Sequence, residues 1–388
     1  MVFTPSRAAG LVALAAFVPN AGRRYAETRN SDHGPADHSN VSMLSPYLRY
    51  RLITEAEVVA AVRREHSAPA AEKFLQEVLW RTYWKGWLEL RPLIWDRYVN
   101  DLAALRTQPG EWEAAYAQAL AANTGIDCFD AWVRELADHG YLHNHARMWF
   151  ASIWIFTLRL PWQLGAELFY RQLYDGDPAS NTLSWRWVAG LQTVGKTYLA
   201  TADNIARYTD GRFNAAGLAT TAQALIEPAV APHDLPPTTA VPAGPVGLLL
   251  GEDDLHPESL PLGAATVAAI ASAELVSGRA EPVRAFISGA LSDARDRAAR
   301  HFRAPREALT GLTAPAIRDW AQRHAVRTVV TGLAPVGPGR TAIEIVTAEL
   351  AGEGISLVQI RRAWDSAAWP DARRGFFAFR ETATALIA

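Results

Sequence analysis

The chain has 388 residues, 49% of them apolar and 20% charged, the make-up of a soluble globular protein long enough for two domains. A formal net charge of −2 argues against a generally basic nucleic-acid binder, though a local basic groove can hide in that sum. The single cysteine, Cys128, excludes an intrachain disulfide, a cysteine-ligated cluster and a zinc site built from several cysteines. It reads as a small buried thiol and favours the cytoplasm, and no metal site is expected.

In chain order, residues 5–18 read as an amphipathic first helix, too short to span a membrane. Residues 21–39 read as an irregular polar segment. Ser45-Pro46 then reads as a helix start, cap followed by first position, where backbone N–H groups and serine hydroxyls can hold an anion. Residues 55–65, 70–90, 111–122 and 127–139 are helical by period, and 189–209 continue the helical part. In the second of these Glu77, Trp80, Arg81 and Trp84 follow the i, i+3, i+4, i+7 pattern of one helix face. Eleven of the fourteen tryptophans lie between Trp80 and Trp187, which marks a large aromatic core or an aromatic-lined cavity.

Tyr141 to Trp187 carries the densest chemistry. A helix opening at Asn144, read as its cap, places Asn144, Arg147 and Met148 on one face. Apolar residues surround the rest, so a buried Arg147 needs an anionic partner. Asp175-Gly176-Asp177-Pro178 supplies two carboxylates, with a turn at Gly176, a cap at Asp177 and a helix start at Pro178. On that next helix Asn181 and Trp185 share a face. An amide and an indole beside an arginine–carboxylate pair suit a flat, polar-edged aromatic ligand; a tryptophan-rich core with one structural ion pair is the simpler alternative.

Residues 227–244 are a proline-rich linker. Beyond it, apolar runs at 245–250, 283–288, 327–332 and 355–360 alternate with helical stretches near 262–277, 291–303, 313–324 and 340–352. That alternation predicts a parallel, doubly wound sheet. Its carboxyl-end loops are residues 251–254 and 332–339, and neither is a GxGxxG or P-loop motif. The expected organisation is therefore a mostly α N-terminal domain over 1–226, the linker, and a smaller α/β domain over 245–388.

Six ordered motifs in the first half resemble the FAD-binding domain of the photolyase/cryptochrome family: S-M-L-S-P-Y-L at 42–48, E-V-L-W-R at 77–81, T-G-I-D-C-F-D at 124–130 with V-R-E-L at 133–136, Y-L-H-N-H-A-R-M at 141–148, D-G-D-P-A-S-N at 175–181 and W-R-W at 185–187. The resemblance spans roughly Tyr25 to Asn204. It implies a helical domain holding FAD, with Tyr25, Ser42, Met43, Leu44 and Ser45 at the diphosphate. Glu77, Arg81, Asn144, Arg147, Asp175, Asp177 and Asn181 complete the implied cofactor contacts, Asn181 facing flavin N5. Trp185 and Trp162 match the first two members of an electron-transfer chain; Pro109 stands where its outermost tryptophan would be, with Trp112 or Tyr116 as substitutes. Glu77, Trp80, Asn144, Met148 and Trp187 match lesion-contacting positions of the repair enzymes, which split pyrimidine dimers in UV-damaged DNA by light-driven electron transfer. A cryptochrome-type photoreceptor, acting through a signalling partner, is the alternative implied function.

Three departures stand against the repair reading. His145 replaces a usual basic residue, Thr82 replaces an acidic one, and the α/β domain follows the helical one instead of preceding it. That domain resembles a relocated antenna domain, which implies a possible second chromophore. Arg49, Arg51, Arg81, Lys85, Arg186 and Lys196 are the candidates for a DNA-facing basic surface.

Overall fold

The computed structural model describes residues 3–108, 110–275 and 278–387. Pro109 therefore lies outside the described residues. The helical half runs α1 (Arg7–Phe17), α2 (Arg23–Thr28), α3 (Ser45–Arg49), α4 (Glu55–Glu65), α5 (Ala68–Glu89) and α6 (Leu93–Thr107). It continues α7 (Glu113–Leu120), α8 (Asp127–His139), α9 (Asn144–Ser152), a π-helical turn over Ile153–Thr157, α10 (Trp162–Gln172), α11 (Pro178–Val188) and α12 (Ala202–Tyr208). Local chemistry fixes several starts. Thr54 and Glu57 form a reciprocal capping box on α4, and the Asp177 carboxylate accepts the Ser180 N–H at the start of α11.

Some boundaries differ from the sequence reading. Residues 23–28 are helical, and 189–201 are turns and extended chain before α12. His143, whose ring nitrogen accepts the His145 N–H, caps α9, so Asn144 is its first residue. Leu44 precedes α3 and Ser45 is inside it; the Ser42 hydroxyl accepts the Leu44 N–H instead.

After the linker come β1 (Gly244–Leu250), β2 (Ala265–Ser272), α13 (Glu281–Phe302), β3 (Arg306–Ala308), α14 (Ala314–Arg323), β4 (Thr328–Gly332), α15 (Pro338–Ala351) and β5 (Ser356–Ile360). All pairs are parallel, in the order β3-β2-β1-β4-β5, a doubly wound sheet. Two expectations exchange places here. Residues 265–272, read as helix from their alanines, form a buried strand, and 283–288, read as strand, lie within α13. Small residues suit a strand packed on both faces, and tertiary burial overrides alanine's helix propensity.

One face of the sheet packs on Ile317, Trp320 and Val346. The other shares a continuous core with the N-terminal helices, in which Val246, Leu248 and Phe286 meet Tyr47, Tyr50 and Ile53. The chain then returns to the helical half: α16 (Ala363–Ala368) and α17 (Phe376–Thr382) pack along α5. No helix among the described residues is long and apolar enough to cross a membrane.

Candidate functional site

Helices α5, α9 and α11 and the turn before α11 assemble the site. Arg147 projects from α9 and grips Asp175 with both terminal nitrogens, at 3.0 and 2.9 Å, while its Nε donates to the Leu142 carbonyl. This is the bidentate geometry that makes an arginine–carboxylate pair strong and directional. The Arg147 side chain stays 23% accessible, so the pair borders open space rather than closed core. The Asn181 Nδ2 donates to the Ala166 carbonyl at 2.7 Å, which fixes the amide. Its oxygen makes no hydrogen bond among the described residues.

Glu77 on α5 is ion-paired to Arg29, an arginine the sequence reading passed over although it stands four residues after Tyr25. Burial pushes the Glu77 carboxyl up, and Arg29 offsets only part of that rise. The side chain is nonetheless 36% accessible. Arg29 also lies over the Tyr25 ring, 5.9 Å from its centre. Asn144 is exposed and Ser42, Met43, Ser45, Met148, Asn181 and Trp187 are half-buried, while Tyr25 and Leu44 are buried.

Asp177 and Arg81 sit differently. Asp177 is 2% exposed and faces Lys85 at 3.5 Å, Arg81 at 3.6 Å and Arg49 at 3.9 Å. Burial alone would raise its carboxyl, but the three cations outweigh it and hold the group well below the usual carboxylate range. Arg81 bridges Asp177 and Glu55. Of the seven implied lesion and electron-transfer residues, Trp162 and Trp185 are buried. Trp187 packs on Tyr198, and Trp80 lies parallel to Phe376 of α17, with ring centres 3.6 Å apart.

The basic surface expected from sequence is not there. Arg49, Arg51, Lys85 and Arg186 are all buried, committed to Glu252, Asp253, Asp254, Asp365, Asp177 and Glu227. Lys196 alone of the six candidates is exposed. The two departures in the motifs also have physical reasons. Thr82 is buried and accepts the Trp364 indole N–H from α16, a bond that a hydroxyl of this size fits. His145 packs against Trp149 and Tyr208, and burial pushes its pKa down to about 4, so it is neutral at physiological pH.

Beneath α9 lies a polar pocket no sequence motif announces. Asp32, His38, Glu135 and His143 are buried, and each has a side-chain polar atom without a hydrogen-bond partner. Arg212 pairs with Asp32 at 3.0 Å. Burial first, then Asp32, pushes Glu135 up to about 8, and burial pushes His143 down to about 4.

The helical half thus combines a bidentate arginine–carboxylate fork and a fixed amide with a tryptophan-rich core, the make-up expected from sequence for a domain that takes a flat polar aromatic. Comparison with known proteins narrows that class. The family described as the FAD binding domain of DNA photolyase matches residues 74–210, a span that includes Glu77 to Trp187 but not Tyr25 or Ser42–Ser45. A deoxyribodipyrimidine photo-lyase of Streptomyces griseus is 37% identical over 153 residues, 39% of this chain and 32% of that protein. Another, from Agrobacterium fabrum, is 32% identical over 192 residues, 49% of this chain and 39% of that protein. A cryptochrome DASH of Arabidopsis thaliana is 29% identical over 170 residues, 43% of this chain and 29% of that protein. The chain thus spans well under half the length of these relatives. The family match runs from within α5 to just past α12, so it is this stretch of the helical half that is similar to the FAD-binding domain of DNA photolyases.

Proposed function

We propose that the chain is an FAD-binding, photolyase-like flavoprotein of the cytoplasm that works by light-driven electron transfer and repairs pyrimidine dimers in DNA. The Arg147–Asp175 fork, with the Asn181 amide on the helix that follows Asp175, carries this reading. Bound FAD supplies a light-absorbing centre that exchanges single electrons. The fork orients the flavin ring; the Asn181 oxygen, an acceptor, favours the flavin form with a proton on N5. Ser42, Ser45 and Tyr25 hold the diphosphate end. Glu77, Trp80, Asn144, Met148 and Trp187 receive an extruded lesion, with Glu77 bonding base edges and the indoles stacking.

A second reading, a cryptochrome-type photoreceptor without repair, is favoured by two observations. Phe376 already covers a face of Trp80, and Glu77 is already paired. Illumination of the FAD-loaded chain with a dimer-containing oligonucleotide separates the two. Repair predicts conversion of the dimer, faster in Phe376→Ala, where the indole face is freed. Unchanged dimer in both proteins removes the repair function and leaves the photoreceptor.

A further inference from the structure

The rings around Trp185 support an inference that rests on the FAD reading and goes beyond it. Trp162 makes its ring contact with Tyr98, at 5.6 Å, and no ring contact joins it to Trp185 among the described residues. The buried Arg186 guanidinium lies 5.9 Å over the Trp162 ring. Although it is paired with Glu227, the guanidinium is the charge that lies over the ring, and it disfavours a second positive charge on that indole.

Another series of rings leads outward. Trp185 meets Trp154 edge-on at 6.1 Å and 83°. Gly165 sits where the two indoles converge: a Cβ there would lie 2.3 Å from Trp185 and 3.0 Å from Trp154. Trp154 meets Tyr116 at 5.8 Å, and Tyr116, half-buried, meets Trp112 at 5.8 Å. Hydrogen bonding gives the series a direction. The Trp185 N–H is buried without a partner, whereas the Trp154 N–H donates to the Pro161 carbonyl at 2.9 Å. A carbonyl on the N–H stabilises the positive charge of an oxidised indole, so a hole formed on Trp185 moves to Trp154.

We propose that electrons reach the flavin through Tyr116, Trp154 and Trp185, not through Trp162. One electron leaves Trp185 for the light-excited flavin. Trp154 refills Trp185, and Tyr116 refills Trp154 while releasing its phenolic proton to water. A thiol reductant in solution then gives one hydrogen atom to the Tyr116 oxygen and becomes a thiyl radical. Gly165 is a positioning residue that permits the close approach of the two indoles.

The test uses the full chain loaded with FAD, with loading read first from flavin absorption; a chain that takes up no flavin fails the parent reading and not this one. Illuminated samples are then followed by electron paramagnetic resonance for a tyrosyl radical and by the rate of flavin bleaching. The parent and Trp162→Phe should show the radical, and Tyr116→Phe should lack it. Bleaching should slow by an order of magnitude in Trp154→Phe and stay near the parent rate in Trp162→Phe. Tyr116→Phe removes only a half-buried hydroxyl, so its result stands even if Trp154→Phe folds poorly. A radical that survives in Tyr116→Phe, or bleaching lost in Trp162→Phe, overturns the proposal.

Discussion

At the scale of single residues, desolvation decides which side chains do chemistry. Arg147 announced its need for an anion from its apolar surroundings, and Asp175 answers it with a two-pronged bond. Asn181 was legible as a residue of the site, but which end of the amide is free depends on the Ala166 carbonyl, a neighbour from another helix. The Asp32, His38, Glu135 and His143 pocket was illegible, because its members come together only through the fold. That pocket gives a pH prediction. Glu135 has its folded pKa raised to about 8, so its contribution is present in acid and is lost as pH climbs from the ordinary carboxyl range through about 8. His143 and His145, lowered to about 4, act oppositely and cost stability as pH falls below the ordinary histidine range. Chemical denaturation should therefore show the parent losing on the order of 1 kcal/mol between neutral and mildly alkaline pH, while Glu135→Gln, which cannot ionise, does not. A parent as flat as the variant would mean that Glu135 ionises freely in the fold.

At the scale of elements, helix starts and amphipathic faces were readable, and alanine-rich segments were not. The Glu77–Trp84 face of α5 and the Asp177-Pro178 start of α11 follow from local spacing and capping. The exchange of strand and helix at 265–272 and 281–302 arose because burial on both faces of a sheet leaves no period for the sequence to display. Asp177 does more than cap: its charge is shared by Arg49, Arg81 and Lys85. Asparagine caps as well as aspartate, so Asp177→Asn isolates the charge. Leaving buried cations without their anion should cost about 3–5 kcal/mol in denaturant unfolding. A cost near zero would show that Glu55, Glu252 and Asp253 neutralise the cluster without Asp177.

At the scale of the whole molecule, the linker separates the two halves in sequence, yet they form one ion-paired body. Arg49 reaches Glu252 and Asp253, Arg51 reaches Asp254 and Asp365, and Arg340 reaches Glu89. Arg49 and Arg279 also both donate to the Gly176 carbonyl, between the two carboxylates of the site. Reading these cations as a DNA surface was natural from composition, since nothing local in the sequence shows that acidic loops from the other half will cover them. Nor does it show that α16 and α17 return to lie on α5. What remains common to every reading is flavin bound at the Arg147–Asp175 fork, and the most direct measurement is the absorption spectrum of the full chain after incubation with FAD and removal of free cofactor. The account predicts protein-bound flavin bands that bleach under blue light with a thiol reductant. A colourless protein that retains no FAD would contradict it.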